Sequence, residues 1–339
     1  MSDHDPKDLL RPIVDRPRRL RRTQALRDLC AETRISPQAL IQPHFAVADS
    51  STDQPVEALP GISRMGTDPL LRRVEQDLEL GIQNVLLFGV TQDKHPEGRT
   101  GERQEGPAHQ AVRALKERFG QDVTVMADVC LCTYTDHGHC GILEGGEVAN
   151  DPTLVRLAAQ AVSLAEAGAD VIAPSDMMDG RVFAIREGLD QHGFETRAIM
   201  SYAAKYASSF YGPFREAADS APKETGPKDR KSYQMDLRNR REAVREALLD
   251  QEEGADILMV KPALAYLDVI SDIAAEVDRP VAAYLVSGEY AAVELLAREG
   301  LADRGALVHE HMTAVQRAGA DILITYHARA ALENGWLDR

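Results

Sequence analysis

The chain has 339 residues, of which 44% are hydrophobic, and it carries a net charge of −15. This length allows two average domains or one large α/β barrel. The negative charge argues against nucleic acid or an anionic membrane as the main partner, and no apolar run approaches the ~20 residues that cross a bilayer. The polar N-terminus lacks a secretory signal and the chain has only four cysteines, which predicts a cytoplasmic protein.

The first 35 residues are predicted to form an N-terminal arm. Residues 1–12 show no periodicity and are expected to be disordered. Seven arginines follow between Arg11 and Arg27, and an amphipathic helix is predicted over Gln24–Thr33. The favoured role of the arginines is pairing with the acidic surface of a neighbouring subunit; a polyanion site and a solvated run are the alternatives.

Residues 36–339 alternate short aliphatic runs with charged, helix-like stretches. The runs are continuous, as in strands that are buried on both faces. The predicted strands are Leu40–Phe45, Val85–Phe88, Val123–Asp128, Val171–Ala173, Ala198–Met200, Ile257–Val260, Val281–Ala283 and Ile322–Ile324. The predicted helices are Pro69–Leu80, Pro107–Phe119, Pro152–Ala167, Gly180–Gln191, Leu237–Glu253, Leu267–Glu276, Glu289–Arg298 and Ala306–Ala318. This rhythm predicts a (β/α)₈ TIM barrel, with a doubly wound open sheet as the alternative.

The joints between these elements support the barrel. Gly168, Gly254 and Gly319 each stand between a predicted helix and a strand, where a left-handed residue ends a helix. No Gly-x-Gly-x-x-Gly turn follows a strand, which argues against a dinucleotide site. The longest interval, Ser201–Asp256, contains a basic, turn-rich stretch at about residues 210–236 that is predicted to be an active-site lid.

Three of the four cysteines lie directly after the third predicted strand. Cys130, Cys132 and Cys140 fall within eleven residues, together with His137 and His139. Thiolates are soft ligands that suit zinc. A disulfide or a pair of reactive thiols is the alternative, and a zinc held here is either structural or catalytic.

Two lysines lie at or just after neighbouring strands, where barrel enzymes carry their reactive groups. Lys261 ends the run Ile-Leu-Met-Val-Lys, and Lys205 follows the preceding strand. Burial and a second cation both lower the pKa of an amine, which then attacks a carbonyl to form a Schiff base. Cations in the predicted lid suit an acidic substrate; these are Arg215, Lys223, Lys228, Arg230 and Lys231. The residues therefore predict a zinc-assisted Schiff-base enzyme that acts on small keto acids.

From about Arg16 to its C-terminus the chain resembles porphobilinogen synthase, also called 5-aminolevulinate dehydratase. The resemblance rests on the segments Asp128–Gly141, Ala173–Arg181, Ile199–Arg215, Lys231–Met235, Leu258–Asp268 and Val286–Tyr290. It implies a (β/α)₈ barrel with an extended arm, usually assembled as a homo-octamer. It also implies the condensation of two 5-aminolevulinate molecules to porphobilinogen, with loss of two waters, in tetrapyrrole (haem) synthesis.

The resemblance also implies roles for single residues. Lys261 would form the Schiff base with the first substrate, whose carboxylate Ser287 and Tyr326 would hold. Lys205 would form the second Schiff base. The second carboxylate would be held by Arg215, Arg230 and Gln234.

Proton transfer and metal binding are implied in the same way. Asp128 would shuttle protons, and Ser175 would bind the first substrate's amino group. The zinc ligands would be Cys130, Cys132 and Cys140, with a fourth position open towards the second substrate and His139 outside the ligand set. Glu246 would bind an allosteric magnesium near a subunit interface.

The chain departs from the family pattern at three places. Ala221–Arg230 is longer than the usual Ala-Pro-x-x-Gly-Asp-Arg, Thr91–Glu105 diverges, and Asp136 stands where a serine is common. The choice of Arg230 rests on the Lys-Ser-Tyr-Gln-Met that follows it, and Lys228 is a second candidate for its role.

Two other functions fit part of the sequence. A class I aldolase-like lyase also uses a lysine at a strand end, but it needs neither Lys205 nor three thiolates. An inactive scaffold stabilised by zinc explains the cysteines but not the two lysines.

Overall fold

The structure is a computed structural model that describes residues 15–223 and 226–338. The chain divides after Arg34 into an N-terminal unit and a unit of residues 35–339. The disorder predicted for residues 1–12, and the first of the seven arginines, lie outside the described residues. No helix of the described chain is both long and apolar enough to cross a membrane.

The described part of the arm has a 3₁₀ turn at Pro17–Arg21 and a helix, α1, at Gln24–Leu29. The hydroxyl of Thr23 accepts a hydrogen bond from the backbone N–H of Leu26 (3.2 Å) and so caps α1. Neither element has a buried residue. The helix ends before the predicted Thr33, because only this one turn is capped and no core supports a longer helix.

The strands of the described residues form a closed barrel with two small additions. They are β1 Leu40–Ala46, β2 Asp53–Pro55, β3 Ser63–Met65, β4 Asn84–Gly89, β5 Thr124–Val129, β6 Ile142–Glu144, β7 Glu147–Ala149, β8 Val171–Pro174, β9 Ala198–Lys205, β10 Ile257–Lys261, β11 Val281–Leu285 and β12 Ile322–Thr325. Eight of them are parallel in the order β1-β4-β5-β8-β9-β10-β11-β12, and β12 pairs with β1 to close the ring. The TIM-barrel prediction is confirmed and the open-sheet alternative is wrong.

Barrel closure explains the continuous aliphatic runs. In β4, Leu86 and Phe88 pack inside the barrel, whereas Val85 and Leu87 pack against the surrounding helices. Because successive side chains point to opposite faces, a barrel strand needs apolar residues at every position. The two short antiparallel pairs, β2 with β3 and β6 with β7, were not predicted.

Helices surround the barrel. They are α2 Thr67–Glu79, α3 Pro107–Phe119, α4 Asn150–Glu166, α5 Arg181–Gln191, α6 Gly212–Ala217, α7 Arg241–Glu252, α8 Leu267–Glu276, α9 Ser287–Arg298, α10 Arg304–Arg317 and α11 Ala328–Glu333. The three joint glycines have φ between 106° and 119°, which confirms that each helix ends in a conformation with positive φ.

Several helix starts differ from prediction, and those of α7 and α9 have local reasons. Helix α7 begins at Arg241 rather than Leu237, because the Asp236 carboxylate holds residues 236–239 in a turn by accepting from the N–H of Arg238 (2.9 Å). Helix α9 begins at Ser287 rather than Glu289, because the Glu289 carboxylate accepts from the N–H of Val286 (2.5 Å) at the helix start.

Candidate active site at the carboxyl ends of the barrel strands

The two predicted lysines lie side by side inside the barrel mouth. Lys205 ends β9, Lys261 ends β10, and their Cα atoms are register partners. Their exposed fractions are only 5% and 4%. Lys205 Nζ donates a hydrogen bond to the backbone carbonyl of Ser175, which follows β8. The strand register therefore brings the two amines to one aromatic ring, with the Nζ atoms of Lys205 and Lys261 5.5 Å and 5.0 Å from the ring centroid of Tyr202.

An aromatic box surrounds the amine of Lys261. The Nζ atom lies 4.3 Å from the ring centroid of Tyr284, 4.9 Å from that of Phe214 and 5.0 Å from that of Tyr202. Sequence reasoning did not select Tyr284 or Phe214. Tyr202 and Tyr284 belong to the cluster that fills the barrel interior, so the period-two pattern of β9 and β11 was the available signal.

The surroundings of Lys261 favour its neutral form. The pKa of Lys261 is lowered to about 7, first by burial and second by the positive charge of Lys205. The negative charge of Asp128 acts to raise this pKa but does not offset them. An amine with this pKa is substantially unprotonated at neutral pH, as a nucleophile for a ketone must be.

Asp128 lies within β5, close enough to both lysines for their charges to act on its carboxyl group. Its Oδ1 atom is buried and has no hydrogen-bond partner. Burial raises the pKa of Asp128 to about 6, although Lys205 and a hydrogen bond with Ser175 act to lower it. A carboxyl group that both holds and releases a proton near neutrality suits the proton-shuttle role predicted for it.

The three clustered cysteines are brought together by the loop that follows β5. Their sulfur atoms lie within 4.8 Å of one another, all are buried, and none forms a disulfide, so the disulfide alternative is wrong. Hydrogen bonds from Cys130 and Cys132 hold the pKa of Cys140 well below its usual range. Three convergent, buried thiol groups form one face of a tetrahedral site, and this group could hold a metal ion.

In the part of the chain that the structure describes, no fourth metal-ligand atom joins the three sulfurs. Both ring nitrogens of His139 already have partners: Nε2 lies 2.9 Å from the Pro227 carbonyl oxygen and Nδ1 lies 3.1 Å from the Tyr233 hydroxyl. Cys30 is exposed and belongs to the arm. Among the described residues, the donor set is therefore the three thiol groups.

The two residues predicted to bind the first carboxylate lie beside the aromatic box. The Ser287 hydroxyl donates to the Phe210 carbonyl (3.2 Å) and accepts from the N–H of Phe214 (3.0 Å). The Tyr326 hydroxyl lies 3.0 Å from the Tyr284 hydroxyl. Both hydroxyl groups are thus fixed in place by protein hydrogen bonds before any ligand binds.

The three residues predicted to bind the second carboxylate carry buried polar atoms without partners. These atoms are Arg215 Nε, Arg230 Nε, and both amide atoms of Gln234. Burial, followed by the nearby charge of Arg230, lowers the pKa of Arg215. Buried polar groups are normally paired, so this set indicates a bound polar ligand.

Glu246 lies on the outer helix α7. It lines a cavity of about 370 Å³ together with Asn150, Asp179 and Glu242, and Gln234 lines the same cavity. Burial raises the pKa of Glu246 despite the nearby charge of Arg181. Among the described residues only the three cysteines form a cluster of three or more metal-ligand atoms, so the magnesium site stays a prediction.

Sequence reasoning also missed a buried ion pair behind the lysines. Arg181, which is 2% exposed, donates to Asp250 (2.8 Å) and to the hydroxyl of Ser201 on β9 (3.0 Å). The pair ties β9 to α5 and α7, and so supports the strand that ends in Lys205. An Arg in a helix and an Asp sixty-nine positions later give no local signal of such pairing.

A closed parallel barrel with two buried lysines at the carboxyl ends of neighbouring strands has the arrangement of a (β/α)₈ barrel enzyme. Comparison with known proteins assigns the chain to a family. The family model described as "Delta-aminolevulinic acid dehydratase" matches residues 14–334. The chain belongs to the delta-aminolevulinic acid dehydratase family, which confirms both the resemblance and the prediction of an enzyme.

Similar proteins cover nearly the whole chain. The delta-aminolevulinic acid dehydratase of Halalkalibacterium halodurans is 49% identical over 93% of this chain and 94% of its own. That of Bacillus subtilis is 47% identical over 95% and 98%. The crystal structure of the Toxoplasma gondii enzyme in complex with its reaction product porphobilinogen has a TM-score of 0.92 at 45% identity, and covers 95% of this chain and 92% of that one.

Proposed function

We propose that this chain condenses two molecules of 5-aminolevulinate to porphobilinogen with loss of two waters, in tetrapyrrole biosynthesis. The observation that carries the proposal is the pair of buried lysines on adjacent strands, in a chain of this family. An aldolase-like lyase leaves Lys205 and the cysteines without a role. An inactive scaffold leaves unexplained why every proposed substrate contact is present.

The first substrate is proposed to bind at Lys261. The neutral amine adds to the ketone carbon, and the ketone oxygen leaves as water to give the imine. The apolar walls of the aromatic box exclude competing water from this carbon. Tyr326 holds the carboxylate by donating its hydroxyl hydrogen bond, and Ser287 does so after its O–H turns from the Phe210 carbonyl to the ligand.

The second substrate is proposed to bind at Lys205, whose amine releases the second water in the same way. Its carboxylate meets the guanidinium groups of Arg215 and Arg230 and the amide of Gln234. These groups are buried and carry unpartnered atoms, so a carboxylate there satisfies hydrogen bonds that the protein leaves open. Both amines are regenerated when the ring closes and the product leaves.

Asp128 is proposed to transfer protons, and Ser175 is proposed to bind the amino group of the first substrate. The raised pKa of Asp128 lets its free Oδ1 both accept and return a proton close to neutrality. Ser175 contacts Asp128 through its hydroxyl, and its carbonyl holds Lys205. The two residues thereby link the proton carrier to the second amine.

We further propose that Cys130, Cys132 and Cys140 hold a catalytic zinc. When bound, the ion supplies Lewis-acid polarisation of a substrate oxygen or nitrogen at its open position. The three sulfurs converge in a buried site, and soft thiolates favour zinc over magnesium or calcium. Glu246, with the neighbouring carboxylates of its cavity, remains the proposed position for an allosteric magnesium.

The protein is proposed to assemble as a homo-octamer through its arm, in the cytoplasm. The described arm elements bury no residue, and Leu20 and Leu29 are 54% and 75% exposed. Such apolar exposure on a short helix indicates a surface that a neighbouring subunit covers. Native mass spectrometry counts the chains, and a monomer would contradict this proposal.

Borohydride trapping tests the function directly. Reduction in the presence of 5-aminolevulinate is expected to add the substrate to Lys261, as read by peptide mass mapping. Lys116 is the internal control, because it lies outside the barrel mouth and its Nζ pairs with Asp170 (2.8 Å). An active protein in which Lys261 stays unmodified would contradict the proposal.

The trapping rate should depend on pH with a defined sign. With the pKa of Lys261 lowered to about 7, about one tenth of the amine is neutral at pH 6 and about nine tenths at pH 8. The initial rate with cyanoborohydride is therefore expected to rise across this interval. In Lys205→Met the repelling charge is gone, so the inflection should move to higher pH. If the pH dependence of the trapping rate were unchanged in Lys205→Met, or moved to lower pH, the charge of Lys205 would not be a cause of the lowered pKa of Lys261.

A further inference from the structure

The loop that carries the cysteines, residues 130–141, is bonded to a segment that lies over it, residues 226–235. We call the first the cysteine loop and the second the capping segment. From the geometry between them we infer that His139 is a positioning residue, which sets the binding site for the second substrate's carboxylate. This inference rests on the proposed function.

His139 bridges two points of the capping segment. A carbonyl oxygen only accepts hydrogen bonds, so the Pro227 carbonyl requires Nε2 of His139 to be the donor (2.9 Å). In the neutral ring Nδ1 is then an acceptor, and the Tyr233 hydroxyl donates to it (3.1 Å). The Tyr233 oxygen in turn accepts from the backbone N–H of Cys140 (3.4 Å). The contacts form one chain that runs from a cysteine backbone to the Pro227 carbonyl.

The two bridged points enclose the substrate-binding residues. Pro227 precedes Arg230 by three positions and Tyr233 follows it by three. The Arg230 carbonyl accepts from the N–H groups of Tyr233 (3.3 Å) and Gln234 (2.8 Å), so these residues form one turn. Arg230 also donates to the Gly138 carbonyl (3.0 Å), beside His139. His139 therefore holds the chain both before Arg230, at Pro227, and after it, at Tyr233. These two contacts fix the guanidinium group of Arg230 and the amide group of Gln234.

The packing of the capping segment depends on the imidazole of His139. A Cβ atom on Gly226 would lie 2.9 Å from His139 Cδ2 and 2.9 Å from Leu143 Cδ1. His139 itself is fully buried, and two hydrogen bonds hold its ring. Only glycine at position 226 lets the backbone lie this close to the ring, so the segment and the histidine fit as a pair.

His139→Ala removes both hydrogen bonds and tests the inference. The KM for 5-aminolevulinate is expected to rise about tenfold, which corresponds to about 1.4 kcal/mol, with kcat within about threefold of wild type. Loss of binding that is equal in ground and transition states has this signature. His139→Gln keeps a donor for Pro227 and is expected to restore most of the affinity, which a loss of general stability would not predict.

Two variants test the pairing without removing the histidine. Tyr233→Phe deletes only the hydroxyl between Cys140 and His139, and Gly226→Ala pushes on the ring; both are expected to raise KM. Gly188→Ala, on helix α5, is the matched control, because a Cβ atom there makes only ordinary contacts of 3.4 Å or more. It is expected to leave KM unchanged.

Trypsin cleavage and zinc content give readouts that need no turnover. Lys228 and Lys231 are exposed in the capping segment, so a loosened segment should be cut several-fold faster after them in His139→Ala. Zinc content is expected to stay at the wild-type level. Loss of zinc with the histidine would make it a metal ligand, and unchanged KM and cleavage would remove its positioning role. Either result overturns the inference. A wild-type protein that makes no porphobilinogen would instead contradict the proposed function, and the cleavage test would still apply.

Discussion

Replacing Lys261 by Met is expected to lower porphobilinogen formation on the order of 10⁴-fold or more, because no other group can form the first imine. The variant should fold, since a thioether in an aromatic box avoids the cost of burying an amine. The measurements are an initial-rate assay for porphobilinogen and the melting temperature. We expect the melting temperature to stay the same or to rise.

Lys116→Met is the control for this experiment. It makes the same substitution at a lysine that lies outside the barrel and forms an ion pair with Asp170. Its activity is expected to stay within about twofold of wild type. Lys205→Met should abolish turnover as well, yet leave Lys261 able to trap the first substrate. Appreciable turnover in Lys261→Met would mean that the first substrate is activated elsewhere.

Removing a cysteine of the cluster is expected to have the second largest effect. Cys132→Ala leaves two sulfurs, so zinc should be lost and porphobilinogen formation should fall at least about a hundredfold. The fold should survive, because a buried alanine at this position leaves the barrel strands and their register intact. Circular dichroism, metal analysis and the activity assay measure the three outcomes.

Cys30→Ala is the matched control, since this cysteine is exposed in the arm. It is expected to retain both zinc and activity. Incubation of the wild type with a chelator should reproduce Cys132→Ala and be reversed by added zinc, while trapping at Lys261 persists. Global unfolding on chelation would instead make the zinc structural, and full activity without metal would remove it from the reaction.

The parts predicted best are those in which one short segment carries the whole signal. Ile257–Val260 was predicted as a strand because an apolar run with no polar face fits a strand buried on both sides. Strand β9 was predicted too short, to end at Met200, because Ser201 and the residues after it do not form an apolar run. Barrel closure buries that stretch and extends the strand to Lys205.

The parts that could not be predicted depend on contacts between distant segments. Tyr284 and Phe214 meet Lys261 only because β11 and the start of α6 converge at the same rim. The roles of Tyr233 and Pro227 depend on how residues 226–235 fold back over the cysteine loop. Neither arrangement has a periodicity or a local residue pattern that marks it.

By itself the sequence determined the number of barrel strands, the position of Lys261 at a strand end, that of Lys205 shortly after the neighbouring strand, and the cysteine cluster, because each is encoded within a few neighbouring residues. The tertiary structure alone decided which groups surround each amine, how far burial lowers the pKa of Lys261, and that His139 contacts the capping segment. These properties depend on distance and desolvation between segments far apart in the chain, and only the closed barrel brings those segments together.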